Sequence, residues 1–149
     1  MSPAGVYIDT NLLILLLVGS VGRSQIAKHR RTRNFVPEDY DRLIDLIGPL
    51  PVFVTPNTLT ETSNLLNGCQ SSHLMGKLNI FIQQVDEMYV PSKDAANSRK
   101  FNSLGLTDAV LLELISEQRP LITVDFDLYG AALAKGDKLA YNFTHWQMW

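Results

Sequence analysis

The chain has 149 residues, 46% apolar and 19% charged, which is ordinary for a globular protein and unlike a disordered one. Its length suits a single domain spanning residues 1–149, long enough to enclose a core. A net charge of −2 gives no global signature of a polyanion binder, but the charge is uneven. Arg23, Lys28, Arg30, Arg31 and Arg33 place five of the thirteen Lys and Arg residues within eleven positions. Such a run is either a solvated face or a local patch facing a polyanion.

In chain order, Val6 to Ile8 is a short apolar run behind a turn-prone Ser-Pro-Ala-Gly, which predicts a strand. Asn11 to Val18 is apolar on all sides, as a buried helix is. Residues 19–34 form a polar, basic connection. Pro37-Glu38-Asp39 puts proline and acids where a first helical turn favours them, and Gly48-Pro49 ends that helix. Pro51 to Thr55 predicts a second strand. Thr55-Pro56 then caps and starts a helix that runs to Asn67-Gly68. Ser72 to Met88 carries apolar residues at helical spacing, and a further helix is predicted over Lys93 to Phe101. Thr107 is the expected cap of the next helix, with Leu106 stapled onto Leu111. Pro120 to Val124 predicts a third strand. Asp127 is read as the cap of a helix ending near Lys135-Gly136, and Lys138 to Phe143 as the last strand.

Strands that are apolar throughout, separated by helices, predict an α/β domain whose short parallel sheet of four to five strands is covered on both faces. The run Leu12 to Val18 is seven residues long, too short to span a bilayer. It does not resemble a signal peptide either, because no basic region precedes it and Asp9 interrupts the apolar stretch. Cys69 is the single cysteine, so no internal disulfide forms and a reduced, cytoplasmic setting is expected. Asn142-Phe143-Thr144 matches a glycosylation acceptor that is idle without secretion.

Chemistry concentrates where the strands end. Asp9 follows the first strand, Asp125 follows the third, Glu61 lies in the second turn of the helix after the second, and Asp108 opens a helix. In open parallel sheets, ligands bind outside the carboxyl ends of the strands. Each acid has a plainer reading: Asp108 can complement a helix dipole, Asp127 can cap, and Glu61 can lie on a solvated face. Asp9 is hardest to explain that way, since both its flanks are apolar. Carboxylates gathered at one place repel and raise each other's pKa, and a hard divalent cation such as Mg²⁺ or Mn²⁺ removes that cost.

Other catalytic layouts fit less well. His29, His73 and His145 lack metal-ligand spacing, and none stands beside a nucleophile, which argues against zinc hydrolysis and a Ser-His-Asp triad. No phosphate-binding glycine loop is present. A haloacid-dehalogenase-type site needs a second Asp where this chain has Asn11, and a response-regulator receiver needs an acidic neighbour that Asp9 does not have.

The segments DTNLL (9–13), TLTETSNLL (58–66), LTDAVLLEL (106–114) and LITVDFDL (121–128), in that order, resemble the PIN-domain nucleases. In size the chain is similar to the VapC-type toxins of toxin–antitoxin pairs. The resemblance implies a three-layer α/β/α domain with metal-dependent endoribonuclease activity on RNA phosphodiesters. It implies that Asp9 is the central Mg²⁺ or Mn²⁺ ligand, with Glu61, Asp108 and Asp125 completing the acidic site. Asn11 and Thr123 match positions that support such sites by hydrogen bonding, and Asp127 is a second candidate for the fourth acid. An antitoxin would be the protein partner. The apolar residues of the Tyr40–Ile47 helix could serve that partner or a homodimer, although at this spacing they are more often core. A pocket of acids repels RNA, so Arg23, Lys28, Arg30, Arg31 and Arg33 are the candidate phosphate contacts. Two alternatives stand beside the toxin reading: a housekeeping or defence RNA-processing nuclease, and a non-catalytic module that binds RNA or protein. Residues 19–34 and the terminal Trp146 and Trp149 match nothing in the family pattern.

Overall fold

A computed structural model describes residues 3–67 and 72–144. Cys69, His145, Trp146, Trp149 and the Gly68 helix stop lie outside the described residues. The strands are β1 (Val6–Ile8), β2 (Val52–Val54), β3 (Asp86–Glu87), β4 (Leu121–Thr123) and β5 (Ala140–Asn142). All pair in parallel, in the order β3-β2-β1-β4-β5. The helices are α1 (Thr10–Val21), α2 (Pro37–Ile47), α3 (Pro56–Asn67), α4 (Ser72–Gln84), α5 (Ser92–Ala96), α6 (Phe101–Leu104), α7 (Leu106–Leu114) and α8 (Phe126–Lys135). The α/β class and the short parallel sheet read from the sequence are therefore present.

Alternation along the strands divides the core into two layers. Val6 and Ile8 of β1, Val54 of β2 and Ile122 of β4 pack with α1, α2, α3 and α4 on one face. Tyr7, Phe53 and Leu121, their immediate neighbours, pack with α7 and α8 on the other. Because both faces are covered there, β1 and β2 lack polar alternation and read as continuous apolar runs, as β4 does up to Thr123. Helix α1 is buried nearly all round, with Leu12, Leu13, Ile14 and Leu15 fully inaccessible. Each such side chain contributes about 1.5–3 kcal/mol by leaving water. Gly19 lets α2 approach: a Cβ there would sit 2.1 Å from Tyr40 Cδ2.

Several local readings are corrected. The helix beginning at Ser72 stops at Gln84, and Asp86–Glu87 instead adds an edge strand beside β2. Lys93 to Phe101 is not one helix but the two short ones α5 and α6. Thr107 does not cap α7. That helix starts after Gly105, whose φ of +86° makes the turn from α6, and no side chain caps it. Leu106 packs against the cluster of Ala95, Ala109 and Val110, while Leu111 belongs to the layer of Tyr7, Phe53 and Leu121. Asp125, not Asp127, caps α8. On α2, Leu43 and Ile47 are core while Ile44 is exposed. Among the described residues, no helix is long and apolar enough to cross a membrane.

Candidate active site

The order β3-β2-β1-β4-β5 places a topological switch between β1 and β4, since the chain leaves β1 toward β2 and later returns to β1's other side as β4. Crevices at such switch points are where parallel sheets bind ligands. Asp9 stands at this one, one residue beyond β1. It is 6% exposed and fixed by three hydrogen bonds. Its Oδ1 accepts from the Leu12 amide at 2.9 Å, which caps α1. Its Oδ2 accepts from Thr123 Oγ1 at 2.5 Å and from the Val124 amide at 2.9 Å. Burial raises the Asp9 pKa against the lowering effect of those donors, and Asp125 pushes it in the same direction as burial.

Thr123 joins three elements at one hydroxyl. It donates to Asp9 from the end of β4 and accepts from the Asp125 amide at 3.0 Å. Asp125 in turn caps α8, its Oδ1 accepting from the Asp127 and Leu128 amides at 2.9 and 3.0 Å. Among the described residues its other oxygen makes no such bond. Thr55 repeats this arrangement after β2, accepting from the Thr58 amide and so starting α3, which carries Glu61.

These elements bring Asp9, Glu61, Asp108 and Asp125 onto one cavity of about 250 Å³, which Thr10, Asn11, Leu104, Gly105, Leu106, Thr107 and Leu128 complete. Among the described residues, no Lys, Arg or His lines it. Asp108 registers the resulting field. Burial first, then the charges of Asp125, Glu61 and Asp9, raise its pKa from 3.8 to about 7. Asn11 reaches the cavity with an exposed side chain but bonds to none of the acids. Asp127 lies outside the cavity, facing a neighbouring hollow beyond Leu104.

The basic run is not at this site. Arg23, Lys28, Arg30, Arg31 and Arg33 follow the far end of α1, whose twelve residues put about 18 Å between that end and Asp9. Arg23 is already paired with Asp41 of α2 at 2.7 Å. Sequence reading missed Gly105, Leu104 and Leu106 as cavity walls. The LGL triplet at 104–106 offered a glycine turn as its signal, but nothing to say where that turn would lie.

Four acids without a basic residue form an all-oxygen donor set that suits a hard divalent cation. Glu61, Asp108, one oxygen of Asp125 and one lone pair of Asp9 Oδ1 carry no bond among the described residues. The donor chemistry fits, although no three of these side chains among the described residues are drawn into a ready-made cage.

Fold and site together define an α/β protein with an acidic cleft at the carboxyl edge of a parallel sheet. Compared with known proteins, the chain matches no protein-family model, no curated protein and no solved structure.

Proposed function

We propose that the protein is a Mg²⁺- or Mn²⁺-dependent endoribonuclease of PIN type that acts in the cytoplasm as the toxin of a toxin–antitoxin pair. The convergence of Asp9, Glu61, Asp108 and Asp125 on one cavity, with no basic residue among the described residues that line it, supports this reading. Asp9 and Asp125, each tied to backbone amides, would hold the ion at the fixed side of the cleft, with Asp108 and Glu61 approaching from α7 and α3. When bound, a divalent ion lowers the pKa of water and offsets negative charge on a phosphodiester under attack. In the metal-free protein Asp108, its pKa raised to about 7 by burial and its acidic neighbours, would give up its proton as the cation binds, so metal uptake would depend on pH around neutrality. Thr123 keeps the Asp9 carboxylate from rotating, and Leu104, Leu106 and Leu128 give the cleft apolar walls.

The test is cleavage of single-stranded RNA by purified protein in Mn²⁺ or Mg²⁺, with EDTA, and with Asp9→Asn and Asp108→Asn. Chelation and either substitution should abolish cleavage. Cleavage that survives EDTA or both substitutions would overturn the reading, and RNA binding without cleavage in either metal would establish the non-catalytic alternative.

A further inference from the structure

Beside the acidic cleft lies a second hollow of about 390 Å³, lined by Lys100, Ser103, Leu104, Phe126, Asp127, Gly130 and Ala131. Leu104 is a wall of both cavities, so they are adjoining spaces at the same edge of the sheet. Phe126 is 66% exposed, directly follows Asp125, and leaves most of an aromatic ring in water next to the acids. Lys100 makes no ion pair among the described residues. Among the described residues the acidic cleft has no basic residue, and neither does the polar groove of Asn57, Thr60 and Asn64 on its other side, which shares Glu61 and Thr107 with it. Lys100 therefore supplies the positive charge nearest the acids in any of these three spaces.

We propose that this hollow is a nucleotide subsite, in which a base of single-stranded RNA stacks on Phe126 while the adjoining phosphate meets Lys100. The proposal rests on the nuclease reading and names how that site takes its substrate. An exposed ring beside a cation is the arrangement that holds single strands without a duplex, because every base offers a π-face and every nucleotide a phosphate. A duplex keeps its bases stacked inside, so Phe126 selects unpaired RNA. Asp127, on the same rim, accepts from an exocyclic amino group, which cytosine, adenine and guanine carry and uracil lacks. Gly130 leaves the floor open, since a Cβ there would meet nothing within 4 Å.

The experiment is fluorescence anisotropy of a short, non-cleavable 2′-O-methyl oligocytidylate in Mg²⁺. It compares wild type with Phe126→Ala, Phe126→Trp, Lys100→Ala and Gly130→Leu. Phe126→Ala should weaken binding about 5- to 100-fold, the loss of one stacked base. Phe126→Trp should restore affinity and add tryptophan quenching, on oligonucleotide binding, beyond that of the wild type. Lys100→Ala should lower the slope of log affinity against log salt by about 0.7, the share of one phosphate. Gly130→Leu places a side chain in open space on an exposed helical turn, so it should fill the hollow and weaken binding without lowering the melting temperature. Wild-type affinity in both Phe126→Ala and Gly130→Leu overturns the subsite. So does a complex with a protein partner that depends on Phe126 while the oligonucleotide binds every variant alike. The nuclease reading is scored separately. RNA cleavage that Phe126→Ala leaves unchanged removes the subsite alone, whereas Phe126-dependent binding by a protein that never cleaves RNA removes the nuclease alone.

Discussion

Neutralising Asp108 is expected to make the protein more stable at alkaline pH, in proportion to the repulsion its carboxylate meets in the cleft. Its folded pKa of about 7 lies above the ordinary 3.8 because of burial and the charges of Asp125, Glu61 and Asp9. Below about pH 4 both folded and unfolded chains keep the proton, and the carboxyl group costs nothing. From about pH 4 to 7 the unfolded chain has released it while the folded chain still holds it, so stability falls as pH rises. Above about pH 7 the loss is complete. A shift of about three units has a ceiling of about 4 kcal/mol. The side chain is only partly buried, at the mouth of a cleft, and solvent screening reduces the effect to about 1–2 kcal/mol. Asp108→Asn is close in shape and breaks no hydrogen bond among the described residues, so it removes the repulsion and little else. Thermal melting in a chelating buffer should therefore show the variant about 2–8 °C above wild type at about pH 8, and level with it at about pH 4. Adding Mg²⁺ should narrow the gap at about pH 8, because a cation in the cleft stabilises the four-acid wild type more. Equal melting points at about pH 8, or one difference of the same size at both pH values, would refute the reasoning.

Thr123→Val removes the donor to Asp9 and the acceptor for the Asp125 amide in a fully buried position, and should cost about 1–3 kcal/mol in urea unfolding. Thr123→Ser, which keeps the hydroxyl, should stay close to wild type, and equal destabilisation in the two variants would show that packing rather than hydrogen bonding matters there. Replacing Arg30, Arg31 and Arg33 together with Ala should weaken binding of long RNA and flatten its salt dependence, by about 0.7 in slope for each phosphate no longer neutralised. Short oligonucleotides should bind this variant normally, because none of these three residues lines the cleft. A weakened short oligonucleotide would place the basic run at the cleft after all, and undiminished binding of long RNA would leave it no role.

The layers of the fold were legible because hydrophobic period and helix signals agree along most of the chain: β1, α1, α2, β2, α3, β4 and α8 all stand where their patterns put them. What escaped was decided by tertiary placement. Asp86–Glu87 pairs with β2 only because that edge is open to it, and two exposed acids carry no strand pattern of their own. Asp125 and Asp127 are equally suited to accept from helix amides. The end of β4 at Thr123 decides between them, by bringing the first of the two to the helix start. The convergence of Asp9, Glu61, Asp108 and Asp125 was legible from strand order, since a parallel sheet sends every strand end to one edge. The basic run, near Asp9 in sequence, does not line the cavity, because α1 takes the chain about 18 Å away before Arg23.

The hydrogen bond from Thr123 to Asp9 also bears on the order in which the molecule is made. It links positions 114 residues apart, and the Val124 amide completes the same bridge. A ribosome-bound chain that has not yet reached residue 123 can form β1 and α1, but its Asp9 lacks two of the three donors that fix it, and neither β4 nor Asp125 yet exists. The cleft is thus completed only once β4 and Asp125 have been made. On the proposed ribonuclease reading, its own messenger and the ribosome translating it are out of danger until residues 123–125 have been made.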